Sequence, residues 1–145
     1  MPSKLVFNTA DCIACNACVM ACIDQNDTDS ENGEPSCRKS LEYEPRSLKN
    51  ARTVACLHCA NAKCIEACPN DCITRDQQTG FVVFDDEACI GCRACLEACP
   101  FNAIHMSPDH KIRKCDGCNE RVKHGLKPAC VLVCPTQALK LVELQ

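Results

Sequence analysis

The residues with the most evident chemistry are cysteines, of which the 145-residue chain has 18. Four of them, Cys89, Cys92, Cys95 and Cys99, form a C-x2-C-x2-C-x3-C run that is followed by Pro100. Bacterial-type iron–sulfur clusters use this spacing, and in two-cluster ferredoxins the fourth cysteine ligates the other cluster. We expect the fourth cysteine to open a helix that points it away from its own loop. The run therefore predicts cluster ligands.

Three further groups of four cysteines repeat or vary this spacing. The first group keeps it, the second group has four residues in its second gap, and the fourth group contains an eleven-residue excursion before its third cysteine. The predicted ligands in these groups are Cys12, Cys15, Cys18 and Cys22; Cys56, Cys59, Cys64 and Cys68; and Cys115, Cys118, Cys130 and Cys134. Four complete sets of thiolates predict four [4Fe-4S] clusters.

Two cysteines stand outside the four groups. Cys37 has no cysteine at ligand spacing, and Cys72 occupies a position that is alanine in two other copies of the repeat, at Ala103 and Ala138. We predict that Cys37 is a free thiol and that Cys72 is a small packing residue. The four histidines are expected to be ordinary surface or packing residues, because the cysteines already complete every site.

Zinc is the alternative to a cluster. Structural zinc sites use C-x2-C pairs set a dozen or more residues apart. The fourth group, taken by itself, could be such a site. Cys92 does not fit that pattern, because it has the same spacing to Cys89 and to Cys95 and so belongs to no separate pair. A zinc-stapled interaction module is therefore kept as an alternative of another class.

Composition limits the fold and the partners. With four Phe, one Tyr and no Trp, the chain is poor in ordinary core residues, so metal binding must supply much of its folding free energy. The formal net charge is −3, and thiolate ligands make it more negative, which disfavours nucleic acid. The start of the chain resembles no export signal, and no stretch of about 20 apolar residues occurs. These features predict a cytoplasmic protein without a membrane span, unless a partner's signal exports it.

Short elements are predicted between the cysteine groups, in an α+β arrangement with few regular elements. The helix that begins near Cys18 is expected to run on for a turn, because Ile23 stands where the other groups have proline. Alternation and turn residues predict strands. The predicted strands are Val6–Phe7, Leu41–Glu44, and two hairpins made of 73–75 with 81–84 and of 104–106 with 111–113.

Two charged segments interrupt the pattern. Residues 24–34 are acidic and residues 111–127 are basic. Solvated faces are one interpretation and docking surfaces for redox partners are the other. The basic segment is also expected to raise the reduction potential of a nearby cluster.

With the groups defined, nearly the whole chain resembles the electron-transfer subunit family of dimethyl sulfoxide reductase-type enzymes. The most specific segments are Cys56-x-His58-Cys59 and Lys114-Cys115-Asp116-Gly117-Cys118. The family includes the small subunits of formate dehydrogenases, of polysulfide and thiosulfate reductases and of formate-linked hydrogenases. In size the chain is similar to the iron–sulfur subunits of tungsten aldehyde oxidoreductases and of hydrogen-dependent carbon dioxide reductases.

The resemblance implies two bacterial-ferredoxin-like dicluster halves, with short β-hairpins and short ligand helices. The outer half would comprise 1–55 plus 105–145 and the inner half 56–104. The implied ligand sets are Cys12, Cys15, Cys18 and Cys134; Cys115, Cys118, Cys130 and Cys22; Cys56, Cys59, Cys64 and Cys99; and Cys89, Cys92, Cys95 and Cys68. The internal repeat supports two pairs of groups but does not itself determine which groups pair.

The expected function is electron transfer. The sequence has no nucleophile–base motif, no Gly-rich phosphate loop and no paired carboxylates at catalytic spacing, so the chain is not expected to be an enzyme by itself. The resemblance implies one partner that is a large molybdenum- or tungsten-pterin catalytic subunit. The other partner is a further redox subunit or another copy of this chain. A free-standing polyferredoxin or maturation helper is the alternative.

Overall fold

The computed structural model describes residues 2–41 and 52–144, which form an α+β arrangement of short elements. The strands are β1 (Ser3–Phe7), β2 (Lys39–Leu41), β3 (Arg52–Val54), β4 (Ile73–Arg75), β5 (Val82–Phe84), β6 (His105–Met106), β7 (Ile112–Arg113) and β8 (Leu139–Glu143). The helices are α1 (Ala17–Gln25), α2 (Lys63–Ala67), α3 (Ala94–Ala98), α4 (Asn119–Lys123) and α5 (Ala129–Val133).

The described strands pair as four two-stranded antiparallel sheets. Two of these are the predicted hairpins: β4 pairs with β5, and β6 pairs with β7. The third sheet joins β2 to β3 across residues 42–51. The predicted strand Leu41–Glu44 overlaps β2 only at Leu41, and its remaining residues lie outside the described ranges.

The fourth sheet joins the two ends of the chain. Strand β1 lies antiparallel to β8, with Leu5 opposite Leu141 and Phe7 opposite Leu139. Only the end of β1, at Val6–Phe7, was predicted from the sequence, and β8 was not predicted. The pairing brings the segment before the first cysteine group next to the segment after the last one.

The position of the fourth cysteine relative to its helix differs from the prediction. In α2, α3 and α5 the third cysteine of the group is the second helical residue, and the fourth cysteine follows the helix instead of opening it. The proline that follows restricts this fourth cysteine to extended backbone, with ψ between 113° and 118°. In α1 Ile23 replaces the proline, and the helix continues through Cys22 to Gln25, as predicted.

Two small hydrophobic cores lie beside the cysteine groups. Cys89 and Cys95 share the first core with Ile73, Val82 and Ile112. Cys18, Cys130 and Leu139 form the second. Helix α2 packs against α3 next to the first core, and α1 packs against α5 next to the second. No helix in residues 2–41 and 52–144 has the length and apolarity needed to cross a bilayer.

The loop of the fourth cysteine group lies on Phe81. That side chain is completely buried, and Gly117 lies against its ring. A Cβ atom on Gly117 would come within 2.5 Å of a ring carbon, and the backbone φ there is +73°. Glycine is therefore required at this position for both space and conformation.

We predict that Gly117→Ala destabilises the metal-loaded protein by about 1–3 kcal/mol from overpacking, in addition to the cost of the left-handed backbone. Gly125→Ala is the matched control, because φ is +78° there but nothing lies within 4 Å of the added Cβ. Thermal unfolding followed through the visible absorbance of the loaded protein measures both effects. Equal unfolding temperatures for the two variants would show that the Phe81 contact is not restrictive.

Candidate metal centres

The four cysteine loops share one unusual backbone feature. In every loop the second residue after the first cysteine has a left-handed conformation, although its identity differs. These residues are Ala14, His58, Gly91 and Gly117, with φ of 59°, 48°, 73° and 73°. Non-glycine residues adopt this conformation uncommonly and at a cost, and such residues cluster at functional sites. The loops therefore share a geometry that their side chains alone do not dictate.

In the second and fourth loops the left-handed residue turns its N–H toward the sulfur of the first cysteine. The amide of His58 donates to Cys56 Sγ at 3.4 Å, and the amide of Gly117 donates to Cys115 Sγ at 3.3 Å. Amides arranged around a left-handed residue form concavities that attract anions. The loops are thus shaped to hold sulfur as thiolate.

A second repeated turn follows the fourth cysteine in three groups. The third residue after that cysteine is left-handed at Asp71, Asn102 and Gln137, with φ between 51° and 56°. Burial opposes ionisation of Cys68 and Cys134. Backbone amides of this turn, joined at Cys68 by the Cys72 thiol, nevertheless hold the pKa of both thiols below the ordinary value. The turn therefore favours the ligand form of these two side chains.

The larger cavity brings together cysteines from two different groups. Its volume is about 140 Å³, and Cys56, Cys59, Cys64 and Cys99 line it. Cys99 reaches this cavity because it follows α3, which packs against α2. The cavity thus combines three cysteines of the second loop with the fourth cysteine of the third loop.

A smaller cavity repeats the arrangement beside the second core. Its volume is about 20 Å³, and its lining includes Cys12, Cys15, Cys18 and Cys134. Here the fourth cysteine follows α5, which packs against α1. Cys18 Sγ lies 3.5 Å from the Thr53 hydroxyl, which also accepts a hydrogen bond from buried Arg38 at 3.1 Å.

The cysteines of the fourth loop lie close to Cys22 of the first group. Burial raises the pKa of the Cys118 thiol to about 11, and the nearby Cys130 and Cys22 sulfurs act in the same direction. Burial raises the pKa of the Cys72 thiol to about 12, and the Cys68, Cys89 and Cys95 sulfurs act in the same direction. Cys22 therefore lies near Cys115, Cys118 and Cys130, and Cys68 packs against the core that contains Cys89 and Cys95.

The donor set fits a cluster. Burial raises the pKa of Cys95 to about 11 and of Cys115 to about 12. These sites therefore disfavour free thiolates. They tolerate thiolates bound to a metal cation, because the metal deprotonates a coordinating thiol outright. Two buried cations, Lys114 and Arg38, lie beside the sulfurs. A buried ammonium or guanidinium requires nearby negative charge, and iron-bound thiolates supply it.

The two cysteines outside the groups each contact a fourth cysteine. Cys72 Sγ lies 3.2 Å from Cys68 Sγ. The Cys37 thiol hydrogen-bonds to Cys22, which lowers the pKa of Cys22 to about 6 and raises that of Cys37. Cys72 packs in the first core, as predicted. No pattern in the sequence indicated either sulfur contact, because Cys37 lies 15 residues from Cys22 and the approach of Cys72 to Cys68 depends on the local turn between them.

His58 was expected to be an ordinary packing residue, but it contacts two cysteine groups. Burial lowers its pKa to about 3, so the ring is neutral. Its Nδ1 accepts the Val82 amide at 2.9 Å, and its Nε2 lies 3.7 Å from Cys115 Sγ. The only sequence signal was its position inside the second cysteine loop.

The basic segment 111–127 is largely occupied by contacts within the chain. Arg113 pairs with Glu34, Asp86 and Asp109, Lys123 pairs with Asp76, and Lys114 is buried. Glu34 itself belongs to the acidic segment. The two charged segments are therefore partly joined to each other, which weakens their interpretation as separate docking surfaces.

Comparison with known proteins agrees with the cysteine geometry. The 4Fe-4S dicluster domain family matches residues 50–144. The thiosulfate reductase electron transfer subunit PhsB of Salmonella typhi is 39% identical, over 92% of the chain and 71% of the relative. A subunit of the anaerobic dimethyl sulfoxide reductase of Escherichia coli is 34% identical, over 92% and 69%. The putative oxidoreductase UacF of Escherichia coli is 40% identical over 99% of the chain, which spans only 22% of UacF.

We predict that Cys72→Ala and Cys37→Ser leave the iron content of the anaerobically prepared protein unchanged, because neither residue completes a group of four. Cys68→Ala is the matched control for Cys72→Ala, since the two sulfurs are 3.2 Å apart. It should remove roughly a quarter of the iron, one cluster of four. Such a loss in Cys72→Ala or Cys37→Ser would identify that residue as a ligand.

Proposed function

The chain belongs to the 4Fe-4S dicluster domain family, and from that premise we propose that it relays electrons between a molybdenum- or tungsten-pterin catalytic subunit and another redox partner. It is an iron–sulfur electron-transfer protein with four [4Fe-4S] clusters and is not itself a catalytic subunit. Each cluster, when bound, takes up and releases one electron. The chain's own residues hold the clusters, exclude water and set their potentials.

In this proposal the fourth cysteine of each group completes a site of another group. The observation that carries the proposal is the cavity of about 140 Å³ in which Cys99 joins three cysteines of the second loop. The proposed sets are Cys56, Cys59, Cys64 and Cys99; Cys89, Cys92, Cys95 and Cys68; Cys12, Cys15, Cys18 and Cys134; and Cys115, Cys118, Cys130 and Cys22.

The proposal divides the chain into two ferredoxin-like halves, with the outer half at 1–55 plus 105–145 and the inner half at 56–104. The separate hydrophobic cores, the β1–β8 sheet and the packing of α1 on α5 and of α2 on α3 support this division. Ile112, at the start of β7, packs in the core of the inner half, so the boundary after residue 104 runs along a packed surface.

The partners are proposed from the family. One relative is by name an electron transfer subunit of a thiosulfate reductase, and another is a subunit of an anaerobic dimethyl sulfoxide reductase. A protein that only carries electrons requires a donor and an acceptor that contact different sites. We assign one position to the large pterin subunit and the other to a further redox subunit or a second copy of this chain.

The test is anaerobic purification of the tagged chain from its native cell, with an untagged strain as control, followed by mass spectrometry and metal analysis. We expect a larger subunit with molybdenum or tungsten, and about 16 irons per chain from four clusters. A lone monomer with the same iron content but neither of these metals would indicate a free-standing polyferredoxin. Stoichiometric zinc with little iron would indicate the zinc-stapled module.

A further inference from the structure

The second and fourth cysteine groups exchange hydrogen-bond donors. Lys114 directly precedes Cys115, and its Nζ lies 3.4 Å from Cys56 Sγ. His58 lies two residues after Cys56, and its Nε2 lies 3.7 Å from Cys115 Sγ. Each group thus extends a nitrogen toward the first cysteine of the other group.

The Lys114 side chain is held firmly in this position. It is 2% exposed, and its ammonium donates to the carbonyls of Val82 at 2.5 Å and of Cys115 at 2.6 Å. With Cys56 Sγ as the third acceptor, all three N–H groups of the ammonium are used. Two carbonyls do not neutralise a buried positive charge, so the charge favours negative charge on the Cys56 sulfur.

The His58 ring is oriented by its other nitrogen. Because Nδ1 accepts the Val82 amide at 2.9 Å, the single proton of the neutral ring lies on Nε2, which faces Cys115 Sγ. The Phe81 ring lies against the imidazole, with 4.9 Å between centroids. The imidazole therefore acts as a fixed N–H donor to Cys115.

The side chains around the contact between His58 and Cys115 are closely packed, and several polar groups beside it are hydrogen-bonded to one another. Beyond Phe81, the Thr79 hydroxyl donates to Asn119 Oδ1 at 2.6 Å, and Asn119 donates to Asp76 at 3.0 Å. Thr79 is 2% exposed and Asn119 6% exposed. In an interior of low dielectric constant, a charge or hydrogen bond acts on a neighbouring sulfur more strongly than in water.

We propose that Lys114 and His58 raise the reduction potentials of the two sites that contain Cys56 and Cys115. This inference rests on the proposed function. Hydrogen bonds to cluster sulfurs and nearby positive charge both favour the reduced, more negative state.

The test compares midpoint potentials of anaerobically prepared, four-cluster protein by redox titration monitored with electron paramagnetic resonance. Lys114→Gln removes the charge and should shift the reduction equilibrium of one or two sites about tenfold toward the oxidised form, a fall of about 59 mV for one electron. Lys140→Gln, which removes an exposed charge from β8, should leave all four potentials unchanged. Wild-type iron content in each variant verifies that all four clusters are loaded, and the proposed function is tested separately by purification from the native cell.

His58→Phe keeps an aromatic ring against Phe81 but removes the donor to Cys115, and it should lower one potential. Lys114→Arg keeps the charge and should retain the wild-type potentials more closely than Lys114→Gln does. Wild-type values for all four potentials in fully loaded Lys114→Gln or His58→Phe would overturn the inference.

A measurement on the unmodified sequence covers the case in which these variants fail to load. Lysine labelled with nitrogen-15 at the ζ position, and histidine labelled in the ring, should give hyperfine couplings to reduced sites in electron–nuclear double resonance, because Lys114 and His58 contact ligand sulfurs. Absence of both couplings in the loaded wild type would contradict the proposal.

Discussion

Holding buried thiolates close together is the constraint on which the rest of this structure depends. Burial raises the pKa of several ligand thiols, to about 12 at Cys115 even with Lys114 beside it, so these positions need nearby positive charge, N–H donors or bound metal to hold a thiolate. The left-handed residue turns its amide toward sulfur in the second and fourth loops, and the turn after the fourth cysteine adds further amides at Cys68 and Cys134. Lys114 and Arg38 place full charges among the sites. The left-handed backbone of these turns is strained, but the turns are stable in the fold because they supply N–H donors to the sulfurs.

The short regular elements follow from the same constraint. Five-residue helices and two-stranded sheets are marginal by themselves, and the two cores are small. Helices α2, α3 and α5 instead start beside the third cysteine and stop at the fourth, where proline directs the chain toward the neighbouring loop. Because only the folded chain can assemble such sites, metal binding contributes directly to folding free energy. Electron-transfer function and stability thus depend on the same side chains.

The sequence was informative wherever spacing in the chain determines geometry. Cysteine groups, the two hairpins and the extension of α1 past Cys22 could be predicted, because each depends on nearby residues. The helix start near Cys18 was predicted correctly. The expectation that the fourth cysteine opens a helix was wrong for α2, α3 and α5, where the following proline restricts that cysteine to extended backbone after the helix. Strand β8 was missed although Leu139 and Leu141 alternate with polar Lys140, since its partner β1 lies at the opposite end of the chain. The contacts of His58 with Cys115 and of Lys114 with Cys56 were not predictable either, because the two residues of each pair lie far apart in the sequence.

The exchange of fourth cysteines between groups is the central claim, and anomalous diffraction at the iron edge from crystals of the anaerobically loaded protein tests it most directly. We expect four separate iron sites, with Cys22 bound to the site of Cys115, Cys118 and Cys130, and Cys99 bound to that of Cys56, Cys59 and Cys64. A map in which Cys22 binds the same iron cluster as Cys12, or Cys99 the same one as Cys89, would contradict the exchange.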